Sequence, residues 1–142
     1  MIYVKDIMTR DVKTIPSNAS IREAARSMSK WKIGALVVIE GSKPIGVITE
    51  GDISRSVAKG IDPAERLTGF GKKKLVTISP SERVEVAAKT MSDARVKKLP
   101  VMEDGELVGI VTETDIVNSS FSLVTSLKEM VQARYRPPDF EM

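Results

Sequence analysis

Two stretches of this chain are nearly the same, and the distance between them limits the folds that it can adopt. Residues 47–53 read VITEGDI and residues 110–116 read IVTETDI. The same offset of 63 residues (77 − 14) places Thr14 on Thr77, and residues 12–53 align with their second copy without a gap. A unit of roughly 60 residues buries too little surface to be more than marginally stable alone. The sequence therefore predicts two half-domains that pack about a pseudo-two-fold axis and share one core.

Composition narrows the possible functions. Hydrophobic residues make up 42% of the chain but aromatic residues only 4%, so we expect a core of aliphatic side chains. Neither cysteine nor histidine is present, which removes disulfides, thiolate metal sites and the commonest general base. The sequence also places no nucleophile beside a base, so we expect neither an enzyme nor a metal site.

Charge and hydropathy favour a cytoplasmic protein with no membrane partner. The formal net charge is only +3, and the one dense basic run is Lys72–Lys74. We interpret that run as a solvated linker, because nucleic-acid surfaces are usually larger and often carry stacking aromatics. No apolar run approaches the ~20 residues that span a bilayer. The N-terminal MIYVKDIMTR is too short and too charged for a secretory signal.

Each copy contains the same order of predicted elements. A short strand, VKTI or LVTI, is followed by capping residues and an apolar stripe with helical spacing. Two apolar runs around EGSK or EDGE predict a hairpin, after which a second helix begins. The predicted fold is α/β (α+β), with two pseudo-symmetric strand-helix-strand-strand-helix repeats packed as one globule. The predicted segments are a first domain at 1–60, an exposed linker at 61–74, a second domain at 75–132 and a tail at 133–142.

The threonine–aspartate motif has a structural interpretation. Thr-x-x-Asp before an apolar residue is close to a capping box, in which Thr49 accepts the amide of Asp52 and Asp52 bonds back. Acidic residues also suit the start of a helix electrostatically. One such motif would be an ordinary cap. Capping alone does not explain why both copies keep Gly-apolar-apolar-Thr-Glu-x-Asp-Ile whole, directly after a hairpin.

With GVITEGDI and GIVTETDI closing its two copies, the chain resembles a tandem pair of cystathionine-β-synthase (CBS) domains, often called a Bateman module. The opening VKDIMTRDVKTIP is also similar to the start of such domains, although the second copy has GFGK where the first has DIMT. The resemblance covers Val4 to about Asn118. It implies a stand-alone sensor that regulates an unidentified protein. It also implies clefts between the copies that bind AMP, ADP, ATP or an S-adenosyl compound as a regulatory ligand, with no obligatory cofactor.

The resemblance also implies which residues bind the ligand. Asp52 and Asp115 are expected to bind ribose hydroxyls, supported by Thr49 and Thr112, because an ionised carboxylate can accept two hydrogen bonds from a cis-diol. Each carboxylate is expected to work with the strand starts of the opposite copy, where apolar side chains sandwich the base and backbone groups read its edge. The expected partners of Asp52 are Thr77, Ile78, Val96, Lys97, Lys98, Leu99 and Pro100. The expected partners of Asp115 are Thr14, Ile15, Pro16, Ile33, Gly34, Ala35 and Leu36.

The two predicted clefts differ in charge. Lys97 and Lys98 adjoin the Asp52 cleft, and Arg55 lies three residues after Asp52, where the second copy has the neutral Asn118. Since side chains alternate along a strand, we expect only one of the two lysines to point inward. These cations predict that the Asp52 cleft is the better phosphate site. The alternative is that all three are solvated surface charges.

Self-association is also predicted, because the helices after both aspartates carry apolar residues that one globule leaves partly exposed. The resemblance likewise implies a homodimer of modules. The candidate contact residues are Ile53, Val57, Ile116, Phe121, Leu123, Val124 and Leu127. Two other functions stay open, namely a nucleic-acid adaptor and a scaffold whose clefts hold no nucleotide.

Overall fold

The computed structural model describes residues 1–69 and 75–134. Its first repeat has the predicted order of elements after a short additional helix, and its second repeat has the predicted order apart from the first strand. In the first repeat they are α1 (Val4–Ile7), β1 (Thr14–Pro16), α2 (Ile21–Trp31), β2 (Ala35–Glu40), β3 (Lys43–Thr49) and α3 (Glu50–Ala58). A 3₁₀ turn (Leu67–Gly69) precedes α4 (Val84–Ala94), β4 (Lys98–Glu103), β5 (Glu106–Thr112) and α5 (Glu113–Arg134). The α+β fold with two repeats is therefore confirmed.

The two hairpins have the same strand pairing but different turns. Strands β2 and β3 pair antiparallel, as do β4 and β5, and each pair shifts register at the same repeat position, after Val38 and after Val101. Both turns need a left-handed backbone, which glycine adopts without a steric penalty. Gly41 supplies it in the first hairpin with a φ of 63°. In the second hairpin, both Asp104, the counterpart of Gly41, and Gly105 adopt it, with φ values of 51° and 79°.

The predicted apolar stripes pack the first helix of each repeat against its sheet. Ile21, Ala24 and Met28 are buried along α2, and their counterparts along α4 are buried as well. Helix α2 starts with a capping box, in which Ser20 Oγ accepts the Glu23 amide at 3.1 Å and Glu23 accepts the Ser20 amide at 2.9 Å. The periodicity of the sequence was sufficient to place these helices because one face of each is buried.

The segments that precede each repeat pack on the other repeat. Val4 is buried against the second repeat, where its amide donates to the Glu82 carbonyl at 2.8 Å. Leu67 is its counterpart by the 63-residue offset; its amide donates to the Ala19 carbonyl at 2.9 Å, and its side chain is in the core of the first repeat. The predicted exposed linker is therefore wrong at Leu67, which is 7% exposed.

Each repeat has a hydrophobic core of its own. One cluster contains Leu36 and Ile48 of the first repeat, and the other contains Leu99 and Val111 of the second. The prediction of one shared core is wrong in this respect. Each sheet is covered by its own helices. The repeats therefore share apolar surface through the exchanged segments, that is, the segments around Val4 and Leu67 that each pack on the opposite repeat.

The second repeat lacks a full first strand. Strand β1 pairs in parallel with β2 over three residues, and Val37 donates to the Lys13 carbonyl at 3.1 Å. The counterpart of Val37 is Pro100, which has no N–H to donate. The predicted strand LVTI is consequently reduced to a bridge between Ile78 and Val101.

The C-terminal boundary also differs from the prediction. Helix α5 continues to Arg134, past the predicted domain end at 132. Residues 135–142, like the Lys72–Lys74 run, lie outside the described residues. Among the described helices, none combines the length and apolar character needed to cross a membrane.

Candidate functional site

Helix α3 begins with the predicted capping box. Thr49 Oγ1 accepts the Asp52 amide at 3.2 Å, and Asp52 Oδ2 accepts both the Thr49 amide at 2.9 Å and the Thr49 hydroxyl at 3.0 Å. These bonds form because a threonine at the N-cap places its oxygen against the amide three residues later. They fix the carboxylate at the start of the helix and leave Oδ1 as the oxygen that faces other partners.

Helix α5 begins in the same way. Asp115 Oδ2 accepts the Thr112 amide at 2.9 Å, and Thr112 Oγ1 accepts the Asp115 amide at 3.2 Å. The two starts are also attached to their own sheets by equivalent bonds. Glu50 donates its amide to the Gly34 carbonyl at 3.0 Å, and Glu113 donates to the Lys97 carbonyl at 2.8 Å. The structure thus holds both carboxylates in matching frames.

An ion pair distinguishes the first site from the second. Arg55 Nη2 donates to Asp52 Oδ1 at 2.7 Å, joining a side chain that is 59% exposed to one that is 12% exposed. The guanidinium lies over Gly51, where an added Cβ would be 3.2 Å from Nη1. Arg55 was predicted as a free cation for phosphate, whereas the structure shows it bonded to the expected ribose ligand.

Of the two predicted lysines, Lys98 is the one that reaches the first repeat. A Cβ added at Gly34 would lie 3.5 Å from Lys98 Nζ and 3.6 Å from the carboxyl carbon of Glu50. Lys98 is half-buried, whereas Lys97 is exposed. The structure therefore brings a cation of the second repeat close to the start of α3, two residues before Asp52.

Burial divides the remaining predicted residues of the strand starts into three groups. Leu36 and Leu99 are both 0% exposed and belong to the cores, so the expectation that their side chains sandwich a base is wrong for this structure. Pro100 is buried as completely, and Ile15 and Ile78 nearly so. The half-buried residues are Ile33, Gly34, Ala35 and Val96, and the exposed ones are Thr14, Pro16 and Thr77.

Two cavities lie elsewhere on the described surface. One of about 300 Å³ is between α2 and α3, and Glu50 and Ile53 contribute to its wall. The other, of about 490 Å³, runs along α5 beside Val124 and Leu127. Neither contains either aspartate. Within residues 1–69 and 75–134, no three acidic side chains approach one another closely enough to hold a metal ion.

Sequence reasoning missed two features of the site. It overlooked the Arg55–Asp52 pair, although opposite charges three residues apart on a helix signal such a contact. It also gave no role to Gly51, whose missing side chain leaves room for the guanidinium. The second repeat has Thr114 and Asn118 at these two positions.

The family model of the CBS domain matches residues 4–59 and 69–122, which is most of the chain. The chain belongs to the CBS domain family. Among CBS proteins, it is 33% identical over 123 residues to the CBS domain-containing protein YhcV of Bacillus subtilis, covering 86% of this chain and 88% of YhcV. It is also 40% identical over 116 residues to a homoserine O-acetyltransferase of Methanohalobium evestigatum, but it spans only 23% of that protein's length and 80% of its own.

Solved structures of CBS proteins have the same fold. The CBS domain pair of protein MJ0100, in complex with 5′-methylthioadenosine and S-adenosyl-L-methionine, matches with a TM-score of 0.79 and 31% identity. That match covers 86% of this chain and 98% of the other. The CBS domain protein PAE2072 of Pyrobaculum aerophilum, complexed with AMP, matches with a TM-score of 0.75 and 28% identity over 80% of this chain and 89% of the other.

Proposed function

We propose that this CBS pair is a regulatory module that binds an adenosine nucleotide or a related adenosyl compound between its two repeats. The observation that supports this most is the pair of matching helix starts, each presenting a carboxylate held by its threonine. A carboxylate fixed in this way accepts hydrogen bonds from a ribose cis-diol without further ordering. The adenosyl ligands of the similar MJ0100 and PAE2072 structures support the same ligand class.

Thermal unfolding with and without ligand tests this proposal. A ligand at 100 times its dissociation constant stabilises the folded state by ~2.7 kcal/mol, which corresponds to a rise in melting temperature of roughly 5–10 °C. AMP, ADP, ATP, 5′-methylthioadenosine and S-adenosylmethionine are compared at millimolar concentration, with guanosine as the base control. If none of the adenosyl compounds moves the melting temperature, the proposal is wrong.

Matched variants assign the binding to the two aspartates. Asp52→Asn and Asp115→Asn each keep a side chain of the same shape that can still accept the cap hydrogen bond but carries no charge. Each substitution is expected to remove one site in calorimetric titration while changing the ligand-free melting temperature by only a few degrees. Mass spectrometry of small molecules released from the purified protein identifies the natural ligand.

We further propose that the module regulates a partner as a homodimer that pairs through its last helix. Val117, Val124 and Val131 recur along α5 at seven-residue intervals and are exposed, as is Leu127 at 50%. A row of this kind is typical of a helix that packs against another helix. The side chains of Phe121 and Leu123 lie outside the described residues. The predicted cytoplasmic location and the existence of a regulated partner protein stay predictions.

The nucleic-acid alternative depends on the Lys72–Lys74 run, which lies outside the described residues. Its test is whether binding to a random oligonucleotide survives moderate salt, since electrostatic binding to phosphates weakens steeply as salt rises.

A further inference from the structure

The two helix starts share a backbone frame but differ in what meets the outer oxygen of the aspartate. In the first repeat, Asp52 Oδ2 is engaged by Thr49, and Oδ1 accepts Arg55 Nη2 at 2.7 Å. A cis-diol that donates two hydrogen bonds to this carboxylate therefore competes with the Arg55 guanidinium for Oδ1. In the second repeat, Asn118 takes the place of Arg55, and no described cation forms an ion pair with Asp115.

Gly51 is part of the same arrangement. A side chain at residue 51 would begin 3.2 Å from Arg55 Nη1 and 3.4 Å from Nη2, which is closer than most Cβ contacts. The absence of a side chain lets the guanidinium fold back over the first turn of α3. Thr114 occupies the equivalent position in α5, so the second repeat differs at both positions that the pairing uses.

Resting on the proposed function, we infer that Arg55 makes the Asp52 site selective for phosphorylated adenosyl ligands, whereas the Asp115 site does not discriminate by phosphate. A ribose at Asp52 displaces the guanidinium from Oδ1. A 5′-phosphate then gives Arg55 a new charge-assisted partner, and Lys98 from the second repeat adds positive charge at the same helix start. A ligand without phosphate leaves Arg55 with water alone.

The size of the effect follows from the exposure of the pair. Because the Arg55 side chain is 59% exposed, releasing it from Asp52 weakens a ligand by no more than about fivefold. A new guanidinium–phosphate contact strengthens binding by about ten- to a hundred-fold. AMP is therefore expected to bind the Asp52 site at least ten times more tightly than adenosine.

Calorimetric titration of AMP and of adenosine into paired variants tests this inference. In the Asp115→Asn variant, only the Asp52 site is expected to bind ligand, so the titration measures that site alone. Adding Arg55→Asn, which introduces the residue of the other repeat, is expected to lower the ratio of AMP to adenosine affinity about ten- to a hundred-fold. Adenosine gains up to fivefold because no ion pair has to be released, and AMP weakens by about two- to a hundred-fold. Arg55→Lys keeps the charge and is expected to retain most of the AMP preference. Ligand-free melting of each variant checks that the fold is retained.

The reciprocal exchange tests sufficiency. In Asp52→Asn, where only the Asp115 site reports, the double substitution Thr114→Gly with Asn118→Arg is expected to raise the ratio of AMP to adenosine affinity about tenfold. If both compounds bind but Arg55→Asn leaves their ratio unchanged, the inference about Arg55 is wrong and the proposed function stands. If neither compound binds the unmodified protein, this inference fails, whereas the proposed function fails only if ADP, ATP, 5′-methylthioadenosine and S-adenosylmethionine also leave the melting temperature unchanged.

Discussion

A methyl group added at Gly109 tests the exchange of segments between the repeats. In β5, a Cβ at residue 109 would lie 2.6 Å from Met8 Sδ and 3.0 Å from the Thr9 carbonyl oxygen. The methionine side chain can move, but the backbone of Thr9 is fixed by two bonds to Ile110, each 2.9 Å long. Gly109→Ala therefore has to push the N-terminal segment away from the second sheet.

The expected cost is about 1–3 kcal/mol, either as overpacking or as the loss of two backbone hydrogen bonds worth about 0.5–1.5 kcal/mol each. For a chain of this size, we expect the melting temperature to fall by roughly 3–12 °C. Gly46→Ala is the matched control, because residue 46 has the same place in the first repeat and nothing described lies within 4 Å of its added Cβ. It is expected to be neutral or to stabilise by up to about 1 kcal/mol.

Combining Gly109→Ala with Met8→Ala separates the two contacts. The smaller side chain relieves the clash with sulfur but not the one with the Thr9 carbonyl, so the pair is expected to show coupling of about 0.5–1 kcal/mol with only partial recovery. Calorimetric melting measures the unmodified protein, both single variants, the double variant and the Gly46→Ala control. Equal melting temperatures for Gly109→Ala and Gly46→Ala would show that residues 1–9 do not pack on the second repeat, and would refute the exchange.

Three further variants test other parts of the structure. Leu67→Ala is expected to cost about 2–4 kcal/mol in chemical denaturation, because it opens a cavity in the first core; a cost below 0.5 kcal/mol would mean that the connector is exposed after all. Thr112→Ala removes the cap of α5 and is expected to cost about 1 kcal/mol, and an unchanged melting temperature would contradict that role. Leu127→Glu is expected to lower the mass found by light scattering from dimer to monomer, with Glu129→Gln as the control on the same helix; a monomeric unmodified protein at tens of micromolar would rule out the proposed dimer.

The local parts of the fold could be predicted from the sequence because each depends on residues near in the chain. The cap that joins Thr49 to Asp52 spans three residues, and the turn at Gly105 spans two. Their chemistry is complete within the motif itself. The buried stripe that begins at Ile21 is likewise a property of one helix. These features are confirmed.

The pairing of distant segments could not be predicted in the same way. Val4 lies in the short segment MIYVKDIM and Leu67 between Arg66 and Thr68, and in neither place does periodicity show which core the residue enters. The shared 63-residue offset was an available signal, since both residues have equivalent partners in the structure. The reduced first strand of the second repeat was also foreseeable, because Pro100 cannot donate the hydrogen bond that Val37 donates.

The starts of α3 and α5 can carry different side chains because the stability of the fold depends little on those side chains. The frame that repeats is made of backbone hydrogen bonds and caps, and losing one cap costs about 1 kcal/mol. Arg55 is mostly exposed and its ion pair contributes at most about 1 kcal/mol, so stability does not determine whether that position holds arginine or the asparagine of the second repeat. Under the proposed function, these residues change the charge that a ligand meets at each carboxylate. A duplicated frame can therefore carry two sites of different specificity, and the AMP-to-adenosine ratio at each aspartate measures that difference directly.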